Sequence, residues 1–455
     1  MQRIILYTIA VLLLLPACSV ERKVAHPQLN IPGSLVADLQ HDSICIAELS
    51  WMELLGDTVL SSLIEKTLQY NKDINIASAR ILEYEKRHRM ARSSQFPAIG
   101  IESYSEREAT NYNGNSPTDD IELSATVALA WEIDFFGRLR WAKREASYNY
   151  LQTIEARRAL QMSLIAEVAT AYFELVALDK ELMIVENTLS TRRENVHQAK
   201  LRFEGGLTSE IPYQQARVEL ARTASMVPDL KLKIRMKENE ISFLSGCYPS
   251  HIERASTQPS IKENILHIGL PSDLVRRRPD IQEAEMAYYA AMANAGIQWA
   301  NRFPRFTINL ETGFENTSYN GFFSSPFTYM IGNLAAPVFA FGKRKAQYEA
   351  SLAACQAKCY AYEERVLQAF REVSDAVEAY IAAVENTKLM DHLKTSSQKY
   401  VDLALFQHVN GHINYLDVLD AQRSYFNAEI EHSNAIRDQY LALIKLYKAL
   451  GGGWK

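Results

Sequence analysis

The most restrictive feature of this sequence is a strand-like segment that runs directly into a very long helical pattern. From position 121 to 135 every odd residue is apolar, beginning with Ile121 and ending with Phe135, while most even positions are polar or small. This period of two predicts a strand with one apolar face. Fifteen alternating residues are long for a globular strand but suit a tilted strand that crosses a bilayer. After Gly137 the pattern becomes helical and persists to Glu204, a length of roughly 100 Å.

A second, less regular strand precedes this segment. Turn-forming Asn, Gly, Pro and Asp residues occupy positions 111–120, so 98–136 is predicted to be a β-hairpin. In the helical segment, apolar residues recur seven apart at Val168, Leu175 and Leu182, which is typical of packing against other long helices. Two glycines at 205–206 end the pattern, and a returning helix is predicted to end at 245.

The chain then repeats itself. Phe96–Pro97 recurs as Phe303–Pro304 at an offset of 207, whereas Gly137 and Gly206 recur as Gly342 and Gly411 at an offset of 205. The nearly constant offset indicates a duplication of helix, hairpin, very long helix, turn and helix. The first repeat is predicted over 57–247, with long helices over 138–245. A linker covers 248–269, and the second repeat covers 270–452, with a hairpin at 305–341 and long helices at 343–450.

The N-terminus resembles a bacterial lipoprotein signal. A cation at Arg3, a short apolar run and the sequence LPAC, ending at Cys18, predict a signal peptide over 1–17 and lipid attached to Cys18. The alternative is an ordinary secretory signal with an incidental cysteine. Residues 18–56 lack a steady period and are interpreted as a tether. Apart from the covalent lipid on Cys18, no cofactor is expected.

Charge and motif content exclude several classes of function. A net charge of −5 over 455 residues argues against a nucleic-acid partner, since phosphate binding requires clustered Lys and Arg. No nucleophile–base pair, phosphate-binding loop or metal-ligand spacing stands out, so catalysis is not expected. The remaining cysteines form no paired framework, and Cys355 and Cys359 are interpreted as small buried residues.

The strand count constrains the assembly. Four strands cannot close a membrane barrel, and open strand edges are not tolerated in lipid, so the barrel must be shared between subunits. The expected fold is an α+β membrane protein whose strands continue into long helices. The alternative is a soluble sheet attached to a structural coiled coil.

Three motifs resemble those of TolC-like outer-membrane efflux proteins, specifically the lipoprotein branch that serves resistance-nodulation-division pumps. They are WEIDFFGR at 131–138, GLPSDLVRRRPDIQEAE at 269–285 and GHINYLDVLDAQ at 411–422. The resemblance implies a homotrimer with a twelve-stranded β-barrel in the outer-membrane lipid and a helical barrel in the periplasm. It also implies two partners, a periplasmic adaptor protein and an inner-membrane efflux pump.

The resemblance also implies a gate at the helix turn near Gly411. Matched by motif, Asp417 and Asp420 would form a ring of six carboxylates in the trimer, which would favour cations. The alternative is that both are ordinary surface residues. The Tyr and Arg that latch this turn in the family correspond here to His408 and Ile413, while Pro212 replaces an Asp in the first turn, so that latch is expected to be absent.

His408 and His412 are four positions apart and are tentative tip residues. They could form a pH-sensitive gate or a metal site, but solvated histidines are the simpler interpretation because Gly411 is expected to end the helix between them.

The arginine run at 276–278 is interpreted as a linker or solvated charge run, with Asp280 and Glu283 forming a capping box for the next helix. The resulting function is a passive outer-membrane exit duct. The alternatives are the outer component of a type I protein-secretion system and a non-conducting coiled-coil lipoprotein scaffold. The cargo is not determined by the sequence.

Overall fold

A computed structural model describes residues 24, 26–29, 31, 46–110, 118–255, 271–336 and 339–454. The predicted signal peptide, Cys18, most of the predicted tether and the linker beyond residue 255 therefore lie outside the described residues.

Helices dominate the described part of the chain. They are, in order, α1 (Trp51–Leu55), α2 (Thr58–Tyr70), α3 (Lys72–Ser93), α4 (Arg138–Glu204), α5 (Ile211–Leu244), α6 (Pro271–Arg277), α7 (Pro279–Ala300), α8 (Lys343–Val409) and α9 (Tyr415–Ala449). The strands are β1 (Ala98–Thr110), β2 (Thr118–Ile133), β3 (Arg305–Asn316) and β4 (Pro326–Ala335). Helices α4 and α8 each have 67 residues, which confirms the two very long helices predicted from the sequence.

The four strands form one antiparallel sheet in the order β1-β2-β3-β4. Ala98 pairs with Ala130, Leu129 with Leu310, and Arg305 with Ala335, so both predicted hairpins are confirmed and are joined through β2 and β3. Strands β1 and β4 are consequently the edges of the sheet within this chain.

The junction between β2 and α4 is set by two acidic side chains. The carboxylate of Asp134 accepts hydrogen bonds from the backbone N–H groups of Leu139 and Arg140 at 3.2 and 2.9 Å, which satisfies donors in the first turn of the helix. Glu132 forms a 2.6 Å ion pair with Arg138. Gly137 has a φ of +80°, a conformation that favours glycine, and this lets the chain turn from strand to helix.

The chain has two compact units that do not follow the two repeats. One contains Ala79–Ile154 and Gln282–Arg365, and therefore the whole sheet. The other contains Glu155–Ile281 and Val366–Lys455, together with α1 and α2. Each unit thus takes elements from both halves of the duplicated sequence.

The core of the second unit contains the predicted seven-residue seam. Val168, Tyr172 and Leu175 on α4 are fully buried with α8, α9 and α2, whereas Phe203 at the far end of the seam is 37% exposed. The hydroxyl of Tyr172 donates a 2.8 Å hydrogen bond to Asp57. Asp57 also accepts from Val59 N–H at 2.8 Å, so this residue both caps α2 and connects the cap to the core.

The first unit has its own core around α7 and α8. Tyr288, Cys355 and Cys359 are buried together, which confirms that the two cysteines are core residues. Gly296 on α7 lies directly against the Trp141 ring, since a Cβ at this position would be 2.3 Å from a ring carbon.

The interpretation of residues 276–280 was wrong in two respects. Arg278 is buried rather than solvated, and its guanidinium bonds to Asp280, Glu372 and the carbonyl oxygen of Ala449. Asp280 lies inside the first turn of α7, which begins at Pro279, so it does not occupy the N-cap position that a capping box requires. Burial against α8 and α9 decided both features, and local sequence signals do not report it.

Candidate functional site at the helix turns

The two turns that join the long helices have the same geometry. After α4, Leu207 N–H donates to the Arg202 carbonyl at 2.9 Å, and after α8, His412 N–H donates to the Gln407 carbonyl at 2.9 Å. These bonds close each helix across a glycine with positive φ, Gly206 at +69° and Gly411 at +77°. Equivalent bonds at an offset of 205 residues are the structural counterpart of the sequence duplication.

Asp417 and Asp420 lie in the first turns of α9 and are both exposed. The carboxylate of Asp417 accepts a 3.1 Å hydrogen bond from Asn414 N–H, so it also stabilises the start of the helix. The structure therefore gives Asp417 a capping role that the sequence analysis did not include, while its outward side remains accessible.

Both aspartates line an open cavity of about 940 Å³ between α5 and α9. Two arginines line it as well, but Glu219 engages both: Arg423 at 3.0 Å and Arg222 at 3.6 Å. In the part of the chain that the structure describes, neither Asp417 nor Asp420 forms an ion pair. Among the described residues, no cation therefore neutralises the negative charge of these two carboxylates.

His408 is half-buried at the end of α8, where both of its ring nitrogens have partners. Nε2 lies 3.1 Å from a guanidinium nitrogen of Arg202, and Nδ1 lies 3.1 Å from the carbonyl oxygen of Ile413. Its ring centre is 5.7 Å from that of Tyr415. A neutral imidazole with its proton on Nδ1 satisfies both contacts, because Nδ1–H then donates to the carbonyl and Nε2 accepts from arginine.

His412 is exposed and lies beyond the end of α8 at Val409, so the two histidines do not share a helix face. Pro212 occupies the first turn of α5, a position where its missing N–H is not required. Among the described residues there is no group of three or more His, Cys, Asp or Glu side chains arranged to hold a metal ion.

A buried polar network joins α4, α5 and α9, and no sequence pattern predicted it. Arg192 on α4 is 3% exposed and lies 3.9 Å from Glu219 on α5, and it donates a 3.2 Å hydrogen bond to Gln422 on α9. Burial lowers the pKa of Arg192, and the nearby Glu219 carboxylate opposes that shift. Gln422 was the one member of this network that the sequence marked, because it belongs to the motif at 411–422. Its partners lie more than 200 positions away, so the network itself could not be predicted.

Comparison with known proteins decides the family. Residues 63–247 and 270–452 match the family model described as outer membrane efflux protein. The chain belongs to this family. The outer membrane efflux proteins similar to it include the solvent efflux pump outer membrane protein SrpC of Pseudomonas putida, 30% identical over 457 residues and 97% of each chain. The cation efflux system protein CusC of Escherichia coli O6:H1 is 28% identical over 98% of each chain.

Solved structures of this family share the fold. Crystal structures of CusC match with a TM-score of 0.85 and 26% identity, covering 94% of this chain and 100% of that one. The open state of the Neisseria gonorrhoeae MtrE outer membrane channel matches with a TM-score of 0.84 and 25% identity, covering 95% and 97%. These matches confirm the predicted fold class and family. The protein is an outer-membrane efflux channel.

Proposed function

We propose that three copies of this chain assemble into a passive exit duct that receives cargo from an inner-membrane pump through a periplasmic adaptor protein. The observation that carries the trimer is the open sheet: β1 and β4 are edges, and both expose large apolar side chains, for example Ile101 at 81% and Met330 at 73%. An unpaired strand edge is unstable in lipid. Pairing β4 of one copy with β1 of the next removes the edges, and three copies give twelve strands.

Native mass spectrometry of the detergent-purified protein and single-channel recording test this assembly together. The expected result is a trimer with unitary conductance in planar bilayers. A monomer without conductance would contradict the duct and favour the non-conducting scaffold.

The cargo is proposed only as small molecules or ions. The relatives are named for solvent, toluene, antibiotic and cation efflux, at similar identities of 28 to 30%. The type I secretion alternative predicts export of a protein. Complementation of a strain that lacks its own outer-membrane efflux channel, scored for both drug tolerance and protein export, separates the two.

The selectivity site is proposed at Asp417 and Asp420. Neither carboxylate is paired with a cation among the described residues. Three copies would bring six carboxylates together near the axis, which attracts cations and repels anions. The double variant D417N/D420N should reduce the cation-to-anion permeability ratio measured from reversal potentials. D229N is the matched control, because Asp229 is exposed on α5 and paired with Lys233. Equal ratios in the double variant and the wild type would refute the ring.

His408 is proposed as a contact that keeps the tip closed. Its imidazole lies between Arg202 at the end of α4 and the Ile413 carbonyl oxygen beyond α8, so it joins the two helix turns. Leak current should be higher in H408A than in the wild type. His412 makes no comparable contact among the described residues, and H412A serves as the control. Equal leak currents in H408A and the wild type would remove this role.

Lipid attachment at Cys18 is proposed from the sequence signal alone. Intact-mass measurement of the mature protein should show a diacylglyceryl or triacyl group at an N-terminal cysteine, and C18S should lack it. An unmodified mature N-terminus would indicate an ordinary secretory signal.

A further inference from the structure

A cavity of about 340 Å³ lies among α4, α8 and α9, within the second compact unit. Its volume falls within the range of small-molecule sites in proteins, which are typically concave, mostly apolar and marked by a few polar groups.

The floor of the cavity is aromatic and aliphatic. The rings of Phe173 and Tyr440 stack with centroids 4.2 Å apart, and both side chains are buried. Met183 and Ile184 on α4 and Ile436 on α9 extend this surface. A flat apolar group of a ligand would contact these side chains and be shielded from water.

Four basic side chains also line the cavity. They are contributed by all three helices: Lys180 on α4, Lys394 on α8, and His432 and Arg437 on α9. Arg437 bonds to Asp438 at 2.8 Å. Lys180 and Lys394 form no ion pair with a carboxylate within the described ranges. Within the described part of the chain, the cavity therefore offers two ammonium groups that no carboxylate engages.

One carboxylate, Glu429, also lines the cavity, and its Oε1 accepts a 3.0 Å hydrogen bond from the Tyr425 hydroxyl. Asp391 on α8 lies 3.5 Å from Nε2 of His432. Both acids therefore lie near His432, as the two lysines do. Neither acid is within ion-pair distance of Lys180 or Lys394.

We propose that this cavity is a binding site for an amphipathic organic anion, whose carboxylate or sulfonate lies between Lys180 and Lys394 and whose apolar part packs on Phe173 and Tyr440. The site lies apart from the helix turns, and the proposal does not depend on the trimer or on the pump. Because the lysines belong to different helices, an occupant would also tie α4 to α8.

His432 makes binding sensitive to pH. Its pKa is lowered, first by burial and then by the positive charges of Lys394 and Lys180, while Asp391 opposes the shift. A bound anion would offset the two lysines and favour protonation of His432, so binding would take up a proton. The charged groups around His432 are Lys180 from α4, Lys394 and Asp391 from α8, and Glu429 and Arg437 from α9. By linkage, affinity for the anion should increase as pH falls from 8 to 6.

Isothermal titration of the full-length protein in nanodiscs with naphthalene-2-sulfonate tests the site. This probe remains anionic over the whole pH range, so any pH dependence belongs to the protein. Naphthalene-2-methanol is its uncharged counterpart. The wild type should bind the sulfonate at least tenfold more tightly than the alcohol.

Charge variants separate the site from nonspecific adsorption. K180Q/K394Q should weaken sulfonate binding at least tenfold, whereas K180R/K394R should remain close to wild type. K399Q, an exposed lysine of α8 outside the cavity, should change affinity less than twofold. H432Q should remove the increase in affinity at low pH.

Equal affinity of K180Q/K394Q and wild type, or equal binding of sulfonate and alcohol, would overturn the proposal. Elution of each variant at the volume of the wild type verifies folding. The arginine variant together with H432Q keeps the test decisive if K180Q/K394Q fails to fold.

Discussion

Arg278 donates a hydrogen bond to Glu372 across 94 positions of the chain, from a guanidinium that is only 3% exposed. The same guanidinium binds Asp280 at 2.7 Å and the Ala449 carbonyl at 3.0 Å. It therefore links the start of α7, the middle of α8 and the end of α9. Arg278 is buried and has three partners, whereas Arg276 is exposed, so the adjacent arginines of this run have different roles.

Replacing Arg278 with Met should destabilise the protein. The change removes the buried cation that pairs with the carboxylates of Asp280 and Glu372. Removal of one member of a buried pair costs about 3 kcal/mol or more. Denaturant unfolding, followed by tryptophan fluorescence in detergent, measures the loss. R276Q is the control because Arg276 is exposed, and it should change stability by less than about 0.5 kcal/mol. Similar midpoints for the two variants would show that the buried pair contributes nothing.

Gly296 should not tolerate even one added methyl group. A Cβ would lie 2.3 Å from the Trp141 ring, and a rigid ring in a packed core cannot move away without cost. We expect G296A to lose about 1–3 kcal/mol in the same unfolding measurement. In a W141L background the same change should cost much less, because the smaller side chain leaves room. A double-mutant cycle with no coupling between the two positions would contradict this packing.

The cysteines should differ in reactivity. Cys247 is exposed, whereas burial raises the pKa of Cys355 to about 11 and also raises that of Cys359. The thiolate is the reactive form, so the two buried thiols should label slowly at pH 8. Cys45 is first replaced by serine (C45S) because it lies outside the described residues. Maleimide labelling of this variant, followed by mass spectrometry, should modify Cys247 quickly and Cys355 and Cys359 only after denaturation. C247S should then show almost no native labelling.

Glu238 should contribute to stability only above mildly acidic pH. Burial alone would raise its pKa, but hydrogen bonds from Arg254 and His251 outweigh burial and lower it. A folded pKa below the unfolded value means that the stabilisation is complete above about pH 4.3 and is lost as pH falls through the folded pKa. Wild type should therefore lose more thermal stability between pH 5 and 3 than E238Q does. E240Q, which changes an exposed carboxylate of the same helix, should follow the wild type.

Local pattern was enough for most of the secondary structure. The 67-residue extent of α4 was predicted to the residue, because its start follows Gly137 and its end precedes the glycines at 205–206. The strand alternation predicted both hairpins, but not their register or the pairing of β2 with β3. The sheet that these pairings complete combines residues from both repeats.

The charged interior was not predictable in the same way. Arg192, Glu238 and Arg278 resemble many solvated helix residues in the sequence, yet all three are buried. Each of these buried charges contacts a side chain or a carbonyl group from another part of the chain, and local periodicity does not identify such partners. Asp417 shows the intermediate case, since the motif marked the residue while only the structure revealed its bond to Asn414.

The sequence by itself determined the helices and strands, because strand and helix periods and turn residues act over a few positions. The constant offset between the two halves indicated the duplication, and three motifs carried the resemblance to the family. Tertiary structure alone decided which charges are buried, how the strands pair, and where three helices enclose a cavity around Phe173 and Tyr440. These features depend on contacts between residues tens to hundreds of positions apart, and the free energy of burying a charge is set by those distant partners rather than by its neighbours in the chain.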